Sequence, residues 1–382
     1  MRILTCIFLL ILLDGFLRFV LLCLRLVKPA PPVRSQSATD AGCVVLIAAH
    51  NEAGTIGPTI TALHDYLPEW PGSAIWVVAD RCTDKTANEA RQAGASVAER
   101  IDGPLGKGAV LAWWLQQHRD SWQAQQSIVI LDADSRIASG TLHSLRQAMS
   151  GKVGAAQAFV APDASTTAGR LAGWSEVLMQ RIDDEARRRC GWPVPLRGTG
   201  MAFRAELLAE LAPRLHTLAE DLELDVILAA RGTHVAFVPE AVILDPKPRQ
   251  DEGVSRQRAR WLQGQLQVLR DYRREFAQAL LGQGFGAWFL LVLLMLRPKI
   301  LFLGLRLLFL LVSLFVPQLR GLALAGLVMD VSYYLVGAAM VDDPRRYLLD
   351  LLAVPRYAGI WFYSFAWAMI RRGQRVWLRA GR

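Results

Sequence analysis

The chain is poor in the residues that build most metal and redox centres. Its five cysteines (Cys6, Cys23, Cys43, Cys82, Cys190) and six histidines fall at no ligand spacing, which argues against a Cys/His metal centre. A two-metal phosphohydrolase would need further His and Asp ligands that are missing here. The cysteines are odd in number, and two sit in the N-terminal apolar stretch. That favours a reducing, cytosolic setting for the soluble part over a disulfide framework. No internal repeat is present. The basic residues are dispersed or flank apolar runs, without an aromatic-interleaved stripe, so no nucleic-acid partner is expected.

What is abundant is apolar. Of 382 residues, 53% are hydrophobic, and the net charge of +9 suits anionic partners such as a membrane surface or nucleotide phosphates. The excess is uneven: residues 3–27 and most of 285–370 carry it, while 43–275 read as a soluble domain. Residues 1–28 are expected to form a transmembrane helix, with Asp14 and Arg18 four apart and able to pair. A signal peptide is the alternative, but no small-x-small cleavage pattern follows. Arg25, Lys28 and Arg34 place the following end in the cytosol. A Pro-rich linker (29–42) leads to the domain at 43–275. In the membrane region, 276–382, the pattern predicts an interfacial helix at 285–296 anchored by Trp288 and crossings at 300–317 and 322–341. An interfacial segment at 347–370 and a cytosolic tail with five arginines complete it. The expectation is an integral protein of a bacterial inner membrane with its catalytic domain in the cytosol.

From 43 to 160, strand-like and helix-like segments alternate: "CVVLIAA", "SAIWVVAD", "SVAER" and "SIVIL" are separated by helical patterns. This predicts an α/β fold whose mostly parallel sheet has helices on both faces. Ligands then bind beyond the carboxyl ends of the strands, where "AHNE", "DRCTD" and "DAD" lie. Asp132 and Asp134 follow the buried run Ile128–Leu131 and face the same side, an arrangement that suits a bound cation. Taken singly, each motif also reads as a helix cap or a chance acidic pair. Together, and in order, they point to one crevice.

These motifs resemble the family 2 glycosyltransferases of GT-A (Rossmann-like) fold, and within them the membrane-bound branch of cellulose, chitin, hyaluronan and poly-N-acetylglucosamine synthases. The resemblance spans 43–270 and rests on "IAAHNE", "VVADRCTDKT", "GKG", "DAD", "LRGTGMAF", "AED" and "QRARW". "AHNE" has alanine where proline is frequent, and "GTG" replaces a Cys-Gly-Ser type of loop. The resemblance implies an inverting, metal-dependent transferase using a nucleotide sugar, UDP-linked, with Mg²⁺ or Mn²⁺ as cofactor. It makes Asp221 the base with Glu220 beside it. Asp134 becomes the firmer metal ligand and Asp132 its partner or a ribose contact. Ala49, Asn51, Glu52, Asp80, Lys107, Asp132, Gln257, Arg260 and Trp261 would hold the nucleotide sugar. Gly198, Thr199, Gly200 and Trp261 would face the acceptor. Asp221 also reads as an acid that offsets a helix dipole, and Trp261 as a core cover. The acceptor is a growing glycan in oligosaccharide or exopolysaccharide synthesis or, alternatively, a lipid receiving one sugar. Membrane lipids are partners either way, and a homo-oligomer or an export partner is compatible with the branch. A catalytically silent nucleotide-binding scaffold is the remaining reading.

Overall fold

The computed structural model describes residues 2–31, 41–123, 126–150, 153–247, 251–282, 284–297, 299–355, 357–359 and 361. Most of the expected linker, the end of the segment at 347–370 and the basic tail lie outside the described residues.

Eight strands form one sheet: β1 (Cys43–Ala49), β2 (Ala74–Asp80), β3 (Ser96–Arg100), β4 (Ser127–Asp132), β5 (Arg136–Ile137), β6 (Ala155–Asp163), β7 (Met201–Arg204) and β8 (Val235–Pro246). Their order is β3-β2-β1-β4-β7-β6-β8-β5. The first four run parallel, connected by the helices Ile56–His64, Thr86–Gln92 and Lys107–Gln117. The antiparallel β7 then joins β4 to β6. This is the mixed α/β sheet of a GT-A fold. β1 and β4 are continuous apolar runs because both of their faces are covered. Val44, Leu46, Ile128 and Ile130 enter one core, and Val45, Ile47, Val129 and Leu131 the other. Register aligns the carboxyl ends: Ala48 pairs with Asp132, Ala49 with Ala79, and Asp80 with Arg100. The acids that end β2 and β4 therefore sit on one rim.

The larger core continues past the sheet. It runs from Leu22 through Leu290, Leu291 and Leu294 to Tyr347, so packing has no break near residue 275. The helix Gly284–Met295 coincides with the expected interfacial segment, yet Phe289, Leu290, Leu291, Leu293 and Leu294 are buried against protein. Trp288 stacks on Phe285 and meets Phe289 edge-on. Helices Lys299–Phe315 and Arg320–Ala338 occupy the two expected crossings. Among the described residues, one helix, Pro317–Ala338, is long and apolar enough to cross a membrane. Gly284–Met295 and Lys299–Phe315 meet that test only as a pair bent by 77°.

The helix Arg2–Val27 has 26 residues, a length of roughly 39 Å. Its charges are neutralised inside the protein, as apolar surroundings require. Arg18 Nε donates to Asp14 Oδ1 at 2.8 Å, the expected pair, and Arg18 Nη1 donates to Asp183 Oδ2 at 2.5 Å. Arg306 closes the network on Asp330 at 2.7 and 2.9 Å and on Asp14 at 3.4 Å. Asp183 belongs to the π-helical turn Met179–Asp184, so the N-terminal helix is bonded to the part of the chain that carries the sheet.

Candidate active site

The centre of the rim is a lysine. Lys107 opens the helix Lys107–Gln117 after Gly106, whose φ of 114° turns the chain into it. Its Nζ lies 2.5 Å from Asp132 Oδ1, donates to the Gly198 carbonyl at 2.7 Å, and lies 3.9 Å from Glu220 Oε1. Burial alone would lower this ammonium's pKa, but Asp132 and Glu220 outweigh it and hold the value raised. Three segments far apart in sequence thus converge on one cation. Gly108 allows the approach: a Cβ there would stand 2.6 Å from the Leu215 Cβ.

Asp132 and Asp134 end the buried run of β4 as the sequence predicts. The Asp132 side chain is 43% exposed, and Asp134 is half-buried. The segment 196–200 folds back beneath them. Thr199 Oγ1 accepts from the Asp132 N–H at 3.2 Å and lies 2.9 Å from Ser135 Oγ. Gly200 donates to the Ile130 carbonyl at 2.9 Å. With φ of 66° and Ile243 Cγ1 2.6 Å from where a Cβ would sit, position 200 tolerates only glycine. Gly198 and Thr199 thus brace Lys107 and the D-x-D end, and a Cβ at Gly198 would stand 4.0 Å from Asp221 Oδ2. Leu196 and Arg197, at the start of this loop, line the neighbouring cavity that also holds Asp221.

Glu220 and Asp221 begin the helix Glu220–Ala230, and successive helical side chains diverge. Glu220 faces Lys107. Asp221 lines a separate cavity of about 180 Å³ with Asp225, Arg197, Arg297 and Trp261. Burial raises the Glu220 carboxyl to about 7 against the pull of Lys107, with Asp221 adding to the rise. Burial raises Asp221 as well, opposed by the Leu222 N–H and by Arg297 and Lys107. Glu220 thus faces the cation and Asp221 the cavity, while their charges still act on each other.

The other strand ends are more tightly tied than the sequence suggests. Asp80 is fully buried; Arg100 Nη1 donates to it at 2.6 Å, and Arg81 is also paired with it. Asn51, at φ 55°, accepts from the Thr83 N–H at 2.8 Å and so joins the loops after β1 and β2. The Glu52 and Ala53 N–H groups donate to Thr86 and Asp84. The Ala49 carbonyl faces the Cys82 thiol at 3.6 Å. These contacts build the rim on the β1–β2 side.

The helix Asp251–Asp271 crosses above. Gly264 lets it approach closely, since a Cβ there would stand 2.6 Å from Ala219 Cβ, and Gln267 accepts from the Leu218 N–H at 3.1 Å. The turn that carries Glu220 and Asp221 is thereby fixed beneath "QRARW". Trp261 is 41% exposed and lines the cavity. Arg260 is half-buried, and the Gln257 side chain lies outside the described residues.

Among the described residues, no three His, Cys, Asp or Glu side chains cluster as a metal-ligand group. The donor chemistry of Asp132 and Asp134 still fits a hard dication. Mg²⁺ is commonly held by one or two carboxylates, with substrate phosphate and water completing its shell. Asp132 shares its carboxylate with Lys107, and Asp134, two residues on, is half-buried at the same strand end.

Sequence reasoning missed Arg197, Asp225, Arg297 and Lys247, which line the cavity. Asp225 accepts from the Leu196 N–H at 2.9 Å, and burial raises its pKa well above the usual carboxylate range. Arg297, displaced by burial and by nearby Arg197, is lowered to about 10. The signal available for these was charge interrupting apolar sequence, as in "LELDVIL" and "LMLRPKI".

Residues 41–264 match the model of the family described as glycosyltransferase like family 2. No curated protein sequence matches the chain. Among solved structures, the mannosyltransferase PcManGT from Pyrobaculum calidifontis, in complex with GDP-Man and Mn²⁺, is similar over 95% of this chain and 96% of its own, at 17% identity and a TM-score of 0.60. Glucosyl-3-phosphoglycerate synthase from Mycobacterium tuberculosis, with Mg²⁺ and UDP, is similar over 60% of this chain and 79% of its own, at 19% identity and a TM-score of 0.42. The GT-A sheet, the rim of acids around Lys107 and the match over 41–264 lead to one statement: this chain belongs to the glycosyltransferase family 2-like proteins and is a glycosyltransferase.

Proposed function

We propose that the protein transfers a hexose, with inversion at C1, from a nucleoside diphosphate sugar to an acceptor at the cytosolic face of a membrane. The observation that carries this is the division of the site by Lys107: a cation and the D-x-D on one side, and the Asp221 cavity on the other.

Lys107, beside Asp132 at the end of β4, is placed to meet the diphosphate, and Glu220 and Asp132 keep it protonated. Asp134, with Asp132, would hold Mg²⁺ or Mn²⁺, which supplies Lewis-acid neutralisation of the leaving diphosphate. Asp221 removes the acceptor hydroxyl's proton; its raised pKa makes it a stronger base than an exposed carboxylate. The acceptor oxygen bonds to C1 from the cavity side as the C1–O bond to the diphosphate breaks. Arg81 and Arg100 hold Asp80 rigid, which would fix its edge against the base. Trp261 offers a flat face to a sugar ring.

We propose a UDP-linked donor on the motif resemblance. The Pyrobaculum enzyme was solved with GDP-Man, so GDP-sugars belong in the same test. The full-length protein, purified with Mn²⁺ or Mg²⁺, is incubated with a panel of UDP- and GDP-sugars, and release of nucleoside diphosphate is measured. Metal-dependent release from one donor class is expected. No release from any donor, with or without acceptor, would leave only a nucleotide-binding scaffold.

A further inference from the structure

A second, larger cavity of about 430 Å³ lies between the catalytic domain and the helices Lys299–Phe315 and Arg320–Ala338. Leu303, Leu307 and Val331 are among the side chains that make its walls apolar. It shares Glu176, Met179, Trp261, Arg297 and Trp361 with the cavity of Asp221, so the two adjoin. An apolar chamber next to a sugar site would by itself suit any greasy ligand. Its polar members narrow the choice.

Arg258, on the helix Asp251–Asp271, lines this chamber and is 2% exposed. Its guanidinium lies 4.4 Å from the ring centroids of both Tyr357 and Trp361, and Nη2 donates to Tyr357 Oη at 2.6 Å. Among the described residues, Nε and Nη1 have no hydrogen-bond partner. Two buried, unsatisfied donors on a permanent cation are costly unless an anion meets them. Arg297 and Lys299 line the same chamber. Among the described residues, neither makes an ion pair within 4 Å. Three basic side chains thus face a chamber whose acids, Glu176 and Asp330, are already paired with Lys247 and Arg306.

We propose that the acceptor is a saccharide joined through phosphate to a long-chain lipid, with the sugar hydroxyl at Asp221, the phosphate against Arg258, Arg297 and Lys299, and the chain in the apolar chamber. This rests on the transferase reading above and names the acceptor of that site. In the reaction the sugar hydroxyl gives its proton to Asp221 and forms the new bond to C1. The nucleoside diphosphate leaves with the electron pair of the broken bond. The lipid phosphate stays intact and serves only to hold the acceptor.

The test uses the full-length protein in detergent and three probes: farnesyl-phosphate-linked glucose, octyl glucoside and glucose 1-phosphate. Binding is read by tryptophan fluorescence, and donor hydrolysis is followed in parallel. The tailed phosphosugar should bind at least about tenfold tighter than either other probe. Arg258→Gln and Lys299→Gln should each shrink that preference while donor hydrolysis is unchanged. Equal binding of octyl glucoside would remove the phosphate from the proposal, and equal binding of glucose 1-phosphate would remove the lipid. A preference that survives in both variants, or no binding of any probe while hydrolysis proceeds, would also overturn it. Loss of donor hydrolysis in the unaltered protein would instead count against the transferase reading.

Discussion

Replacing Glu220 with glutamine should stabilise the protein at neutral pH. The side chain is only 13% exposed, and burial pushes its carboxyl from 4.5 up to about 7 in spite of Lys107. Such an acid is disfavoured as an anion by roughly 3 kcal/mol. Below pH 4.5 it is protonated both folded and unfolded, and nothing is lost. Between 4.5 and 7 the unfolded chain releases the proton first, so stability falls as pH rises. Above 7 the full penalty is present. Glutamine never ionises, so Glu220→Gln should gain about 3 kcal/mol at pH 8 and almost nothing at pH 4. Urea unfolding of the detergent-solubilised protein, followed by tryptophan fluorescence at both pH values, measures the difference. An equal or lower midpoint for the variant at pH 8 would show that Glu220 is well solvated as an anion and that the argument from burial is wrong. The expected gain comes with lower turnover, because Lys107 loses one of the two carboxylates that hold its charge.

Asp134→Ala should weaken nucleotide-sugar binding by about tenfold or more in the presence of Mn²⁺ and hardly at all in EDTA, as titration calorimetry can show. Gly200→Ala should destabilise by at least about 1 kcal/mol in the same urea assay, because it combines a positive φ with a 2.6 Å clash against Ile243. Transfer rate should fall as pH drops through the raised Asp221 pKa, since only the anion can accept the hydroxyl proton. A rate flat down to pH 4 would remove that carboxyl from the proton transfer.

The first half of the fold was legible because its signals are local. Four strand-like runs marked β1 to β4, and the polar motifs after the first, second and fourth placed Asp80 and Asp132 at strand ends. The pairing of Asp14 with Arg18 followed from helical spacing alone. What stayed hidden depends on long-range packing. Nothing in "LRGTG" says that two positive-φ glycines fold it under β4, where Thr199 braces Asp132. Nor does the sequence around Arg258 show that it is enclosed by Tyr357 and Trp361, about a hundred residues away in sequence. Asp80 reads as an open base contact, and only the β2–β3 register brings Arg100 onto it.

The account depends most on Asp221 acting from the acceptor cavity while the donor is held elsewhere. Donor affinity and transfer rate should therefore be measured side by side for Asp221→Asn. The account predicts a donor Kd like that of the unaltered protein and no transferred sugar. Transfer at the original rate, or donor affinity lost together with activity, would contradict it.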